Sequence, residues 1–325
     1  MERKREVLTV SCWAVILALV LRLVSAMPVQ NETLLSLLVY LQTGRIVRYT
    51  DTSAPAAPPT TPPRPAVPTP TPPAGLQFSP EDAENIRFYD FTATAPDLPA
   101  LLLQPLDWTL TGASPTVLIL HTHATESYTR VTGEIYEESS AYRTLNPSYN
   151  MLSVGEELTR VLEAGGISVL HDRTLHDYPS YNGSYDHARK TIQAYLEAFP
   201  SIRMVIDLHR DALDLGAEQQ LTTDATVGGQ QSAQLMLVAG SDRNAHHPGW
   251  QENLALNVKL HALLERMYPG ITRPLQLRQQ RFNLDLTPGS ILVEVGANGD
   301  THQEALVAVR ALGAALIALS QGANL

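Results

Sequence analysis

Val117-Leu118-Ile119-Leu120-His121-Thr122-His123-Ala124-Thr125-Glu126-Ser127-Tyr128 is an unbroken apolar run that turns polar at its end. Two later stretches repeat the pattern: Met204-Val205-Ile206 runs into Asp207-Leu208-His209-Arg210-Asp211, and Ile291-Leu292-Val293 runs into Glu294-Val295-Gly296-Ala297-Asn298-Gly299. Continuous apolar runs of this length read as parallel strands buried on both faces. Polar residues that gather where such strands pass into loops mark the usual place for a site in an open α/β sheet.

Working outward, strands and helices alternate. Strands are expected over Val117–Leu120, Ile167–Leu170, Arg203–Leu208, Gln234–Val238 and Ser290–Val295, with a loop or hairpin near Glu218–Gln231. Helices are expected over Met151–Ala164, stopped by Gly165-Gly166, over Tyr185–Phe199, ended by Pro200, and over Gln251–Met267 and Gln303–Leu319. Such alternation predicts an α/β fold with a mixed, mostly parallel sheet and helices on both faces.

The first quarter of the 325-residue chain has a different composition. A basic start, Met1-Glu2-Arg3-Lys4-Arg5, precedes an apolar stretch to about Ala26, the charge order of an export signal or an N-in membrane anchor. Both readings stay open, since Val24-Ser25-Ala26 offers a cleavage site and the length of about 20 residues suits a spanning helix. Either places the remainder outside the cytoplasm. The reading is a membrane anchor or signal over 1–28, a juxtamembrane amphipathic segment over 29–50, a Pro-rich linker over 51–76 and a catalytic domain over 77–325. Cys12, the only cysteine, lies in the first of these, so the exported part has no intramolecular disulfide and no thiol chemistry. A formal net charge of -10 and a pI near 5.4 argue against nucleic acid as a partner.

His123 and Glu126 are three apart and can share one face of a helical turn, which would bring an imidazole and a carboxylate to one zinc ion (Zn2+). His209 is the best third ligand, and either flanking aspartate, Asp207 or Asp211, could orient its ring. Glu294 ends an apolar strand, where an unpaired carboxylate is costly, and general base to a metal-bound water is the role that explains it. His121 is the alternative ligand to His123, because in an extended segment the two would project from one face. Arg210, Arg143 and Arg281 are candidates for stabilising an oxyanion or binding substrate carboxylates. The turn-rich Tyr178-Pro179-Ser180-Tyr181-Asn182-Gly183-Ser184-Tyr185 stretch could wall a groove, as could His246-His247-Pro248-Gly249-Trp250.

Taken together, residues 119–128, 176–185, 207–212, 281–290 and 294–299 resemble the stage II sporulation protein P family, across roughly residues 85–320. The resemblance implies a zinc N-acetylmuramoyl-L-alanine amidase with added endopeptidase activity, acting on peptidoglycan during engulfment of the spore. It further implies the fold of zinc-dependent cell-wall amidases, a mother-cell membrane anchor, and stage II sporulation proteins D and M as partners. Carried over, His123, Glu126 and His209 match zinc positions and Glu294 the catalytic glutamate. A zinc peptidase confined to peptide bonds and a non-catalytic wall-binding scaffold are the competing readings.

Overall fold

In the computed structural model, which describes residues 77–106, 109–212 and 220–322, nine strands and five α-helices follow in chain order. They are β1 (Phe88–Asp90), α1 (Leu98–Leu103), β2 (Val117–Leu120), α2 (Met151–Ala164), β3 (Val169–His171), α3 (Ser184–Ala198), β4 (Met204–Asp211), β5 (Ala225–Val227), β6 (Gln230–Ser232), β7 (Leu235–Ala239), α4 (Trp250–Met267), β8 (Leu275–Leu277), β9 (Ser290–Ala297) and α5 (His302–Gly322). The anchor, amphipathic segment and linker expected over residues 1–76 lie outside the described residues.

Seven strands form one sheet in the order β1-β8-β7-β9-β4-β2-β3. Every neighbouring pair is parallel except β7 with β9. The sheet is therefore mixed and mostly parallel, as the alternation of elements requires. β5 and β6 form a separate antiparallel hairpin inside the expected loop region.

Period-two alternation along each strand divides the core between the two faces. Val117, Ile119, Ile206, Leu208, Leu235, Leu237, Ile291, Val293 and Val295 face one large cluster that includes residues of α2, α4 and α5. Leu118, Leu120 and Val205 face the other way and pack on Ala188 and Ile192 of α3, while Met236, Val238 and Leu292 meet Leu284. Helices thus cover both faces, and the thinner cover lies on the α3 side.

α5 is long and apolar enough to cross a membrane, yet 89% of that stretch is buried inside the protein, so it is a core helix. Its buried cation, Arg310, donates to Glu157 of α2, which also accepts from Arg160. This matched pair lets a charged residue sit inside an otherwise apolar helix contact. Local signals set the ends of the helices: the Asn150 side chain accepts from Leu152 N–H at the start of α2, and Asp97 accepts from Ala100 N–H at the start of α1. The three-residue strands β1 and β8 and the six-residue α1 were not expected, because runs so short carry no periodicity to read.

Candidate active site

The three polar blocks converge at the carboxyl ends of β2, β4 and β9. Parallel register sets Leu120 beside Asp207 and His209 beside Glu294. Asp207 and His209 alternate with Ile206 and Leu208, which fill the large core, so both project to the α3 side, as does Glu294 between Val293 and Val295. The site lies on the thinly covered face of the sheet because β4 and β9 keep their alternation through His209 and Glu294, before the register shifts between His209 and Asp211.

After Leu120 the chain leaves the strand. Glu126 N–H donates to the His123 carbonyl at 3.2 Å, closing a turn that brings His123 over β4. Its ring meets His209 edge-on with centroids 5.3 Å apart, Tyr185 edge-on at 5.6 Å and Tyr181 stacked at 4.5 Å and 9°. His121 belongs to the opposite face. It sits against Gly155 of α2, where an added Cβ would lie 2.5 Å from Nε2 of both His121 and His171. His121 Nδ1–H donates to the Leu208 carbonyl at 3.2 Å, which leaves Nε2 to accept from His171 at 2.9 Å. Burial and the neighbouring His171 hold its pKa well below the ordinary value. The expectation that His121 and His123 share a face assumed an extended segment, and the turn after His121 separates them.

Asp207 anchors this corner. Its carboxylate accepts from Thr122 N–H at 2.8 Å and from Thr122 Oγ1 at 2.6 Å, and Oδ1 lies 3.0 Å from Nε2 of His209. Of the two aspartates flanking His209, it is Asp207 that faces the ring. Asp211 instead accepts from Arg273 at 2.7 Å. Burial alone would depress the His209 pKa, but the charge of Asp207, with Glu294 and Glu126, outweighs it and raises it. Burial pushes Glu294 up to about 8, with Glu126 and Asp211 adding to the rise against His209. His123 is pushed down to about 3 by burial and by the positive charge of His209.

Glu126 and Arg143 form a hub beside these groups. Arg143 donates to Glu126 Oε1 at 3.2 Å, to Asp177 Oδ2 at 2.6 Å and to Thr125 Oγ1 at 3.1 Å. Its guanidinium carbon also lies 5.0 Å from the centre of the Tyr181 ring. Glu126 Oε2 accepts from Arg210 N–H at 3.2 Å. The Arg210 guanidinium binds the carbonyls of Ser127 and Tyr142, each at 2.8 Å, and fastens two loops of the site together. Arg281 stands at a more distant rim, one third exposed, with only long contacts to Asp285 at 3.4 Å and to the His246 carbonyl at 3.5 Å.

The expected zinc ligands are gathered but do not form a ready cage: among the described residues no group of three or more His, Cys, Asp or Glu side chains is arranged to hold a metal ion. The engagement of Glu126 by Arg143 and by Arg210 N–H accounts for this. The donor chemistry nonetheless fits a divalent metal of the zinc type. Two buried imidazoles meet beside two carboxylates; His209 Nε2 faces Asp207 at 3.0 Å, while Glu294 Oε2 is a buried atom that makes no hydrogen bond. An orphaned carboxylate oxygen beside two buried imidazoles is the usual mark of a missing partner.

Sequence reasoning did not single out Asp177, Tyr181 or Tyr185 as members of the site itself. Asp177 is buried and accepts Thr125 Oγ1 at 2.6 Å as well as Arg143. Tyr185, at the start of α3, stacks on His209 at 6.3 Å and touches Phe282 at 5.9 Å. The cluster of four aromatic and amide residues in 178–185 was the available signal, and it pointed to the rim of a groove only.

The family model for stage II sporulation protein P matches residues 75–317. Stage II sporulation protein P of Bacillus subtilis (strain 168) is 28% identical over 207 residues, covering 60% of this chain and 48% of that protein. The chain thus matches about half the length of this curated relative. Among solved structures, the CwlD amidase from Clostridioides difficile in complex with the GerS lipoprotein aligns with a TM-score of 0.40 at 13% identity, covering 64% of this chain and 98% of that one. The N-acetylmuramoyl-L-alanine amidase AmiC2 of Nostoc punctiforme aligns with a TM-score of 0.37 at 14% identity, covering 64% and 96%. With its polar strand ends, its sheet and three quarters of its length accounted for by one family model, the chain belongs to the stage II sporulation protein P family.

Proposed function

We propose that this protein is a zinc-dependent peptidoglycan hydrolase that cleaves the N-acetylmuramoyl-L-alanine amide, and stem-peptide cross-links as well, during engulfment in sporulation. It works outside the cytoplasm, held to the membrane by its N-terminal segment, with stage II sporulation proteins D and M as partners. The observation that carries the reading is the convergence of His123, His209, Glu126 and Glu294 at three strand ends, with Glu294 Oε2 buried and unbonded. Family membership supports the sporulation context.

His123, His209 and Glu126 are the residues that would hold the metal, which when bound makes its water acidic near neutral pH and polarises the scissile carbonyl. Glu294 takes the proton of the attacking water at Oε2 and returns it to the leaving nitrogen. Asp207, fixed by Thr122, orients the His209 ring, and Arg143 with Asp177 sets where Glu126 stands. Tyr185 screens both imidazoles from water. Cleavage leaves the lactyl carboxylate on the sugar and a free amine on the stem peptide.

The test is to incubate the purified chain with peptidoglycan, with and without a chelator, and to identify the new chain ends by mass spectrometry. Release of stem peptides from muramic acid, lost with chelator and in Glu294→Gln, is the expected result. Cleavage confined to cross-links would make the enzyme a peptidase, and intact wall throughout would overturn catalysis.

A further inference from the structure

Two rims of opposite character flank the site along the sheet. Over the β2 side stands the segment 178–183, in which no residue is charged and all six are exposed. Tyr181 is stacked on His123 at 4.5 Å and 9°, yet 57% of it is open to solvent, and Tyr178 in the same turn is 51% open. Two exposed aromatic rings in one turn beside His123 form a surface that a ligand can cover. Ser180 and Asn182 alternate with the rings and offer hydroxyl and amide groups at the same level.

Over the β7 side stands the segment 281–285. Phe282 and Asn283 both carry left-handed backbone, φ 50° and 61°. The turn is fastened at three places. Arg189 grips Asp285 with two bonds of 2.8 Å, Asn283 Nδ2 donates to the Tyr185 carbonyl at 2.8 Å, and Asn253 Nδ2 donates to the Leu284 carbonyl at 2.6 Å. Close approach to Gly240, where a Cβ would lie 2.7 Å from the Gln280 carbonyl, fixes it from behind. A turn held this firmly in a costly conformation presents Arg281 outward with no short bond to any acceptor. Asp285 is already gripped by Arg189, so Arg281 keeps donors for an incoming anion.

Tyr185 lies between the two rims, 5.6 Å from His123 and 5.9 Å from Phe282. The geometry points to a fixed orientation of substrate across this floor, resting on the peptidoglycan reading above. The neutral sugar ring stacks at Tyr181 and Tyr178, and an acidic residue of the stem peptide pairs with Arg281. Pyranose rings present apolar C–H faces that aromatic side chains cover, and the hydroxyls at their edges match Ser180 and Asn182. The peptide carries carboxylates, which a guanidinium binds through paired N–H donors. The reverse orientation would lay an anion against an uncharged aromatic turn and leave Arg281 facing a neutral glycan.

Calorimetric titration of the full chain in Glu294→Gln form separates the halves, using the disaccharide with its lactyl carboxyl capped as a simple amide and the free stem peptide as probes. Tyr181→Ala is expected to weaken the disaccharide about ten-fold and leave the peptide unchanged, with Tyr181→Phe restoring sugar affinity. Arg281→Gln is expected to weaken the peptide alone, and in active enzyme to raise KM with little change in kcat. The reverse pattern, or equal effects on both probes, overturns the orientation. Wild-type protein that digests peptidoglycan while none of these variants alters binding would overturn it and leave the hydrolase reading standing. Failure to digest the wall or bind either probe would overturn both.

Discussion

Replacing Arg143 by Met is the sharpest probe of how this site is built. The substitution keeps an apolar stem beside Tyr181 but removes the donors to Glu126, Asp177 and Thr125. Asp177 is left as a carboxylate with no solvent-accessible side-chain surface. Stranding one partner of a buried pair costs about 3–5 kcal/mol. Two features reduce that figure here. Asp177 keeps the Thr125 hydroxyl at 2.6 Å, and the Arg143 side chain is itself 20% exposed. The expected loss is therefore about 2–3 kcal/mol. Urea unfolding followed by far-ultraviolet circular dichroism would read it as a lower midpoint at constant slope. Because most of the loss is the stranded charge, Arg143→Met combined with Asp177→Asn should recover about 1–2 kcal/mol relative to the sum of the single changes. A loss below about 0.5 kcal/mol, the value of an ordinary surface ion pair, or strict additivity in the double variant, would refute the hub.

Three further outcomes are expected. Gly155→Ala would gain about 1 kcal/mol of helix propensity in an open helix, but the new Cβ meets two imidazole nitrogens at 2.5 Å, so a net loss of about 1–2 kcal/mol is expected in the same unfolding assay. Glu294→Gln should keep the circular dichroism spectrum and midpoint of the parent while peptidoglycan digestion, followed by release of soluble ends, falls about 10²–10⁴-fold. His261, remote in sequence from the strand-end blocks, has a pKa that burial lowers from 6.5 to about 4 against the pull of Glu265. Because the unfolded chain then binds the proton more tightly, this residue costs stability as pH falls from about 6.5 to about 4, and the cost is absent above that window. His261→Leu should reduce the loss between pH 7 and pH 4.5 by up to about 3 kcal/mol, measured as the difference between urea midpoints at the two pH values.

The strand-end blocks were legible because burial on both faces leaves an unmistakable apolar run, and β2, β4 and β9 fall within or beside the stretches expected for them. The long helices were equally plain: Met151–Ala164 falls on its expected bounds, and the ends of the other three differ from expectation by at most three residues. The sheet's far edge was not legible. Phe88–Asp90 and Leu275–Leu277 are three residues each, and what makes them strands is their pairing with each other and with β7, a property of distant partners. Within the site, residue types near strand ends could be read, but side-chain direction could not. His121 and His123 part company because of one turn, and Arg210 faces backbone carbonyls rather than the groove because Ser127 and Tyr142 fold back over it. Likewise the Arg143–Asp177 pair joins residues 34 apart, on two loops separated by α2 and β3.

The placement of β9 bears on how the molecule comes to be made. It occupies the middle of the sheet, between β7 and β4, yet is the last of the described strands in chain order. While residues 290–297 are still being synthesised, β7 and β4 each present an unpaired edge, and their closure waits on a partner more than fifty residues beyond β7. Such late, long-range pairing slows folding and exposes the intermediate to aggregation. It also couples maturation to chemistry. Glu294 arrives on the closing strand itself, so a nascent or half-assembled chain has His123, Glu126, Asp207 and His209 without the Glu294 carboxylate. On the proposed mechanism, reactivity and completion of the fold are therefore a single event.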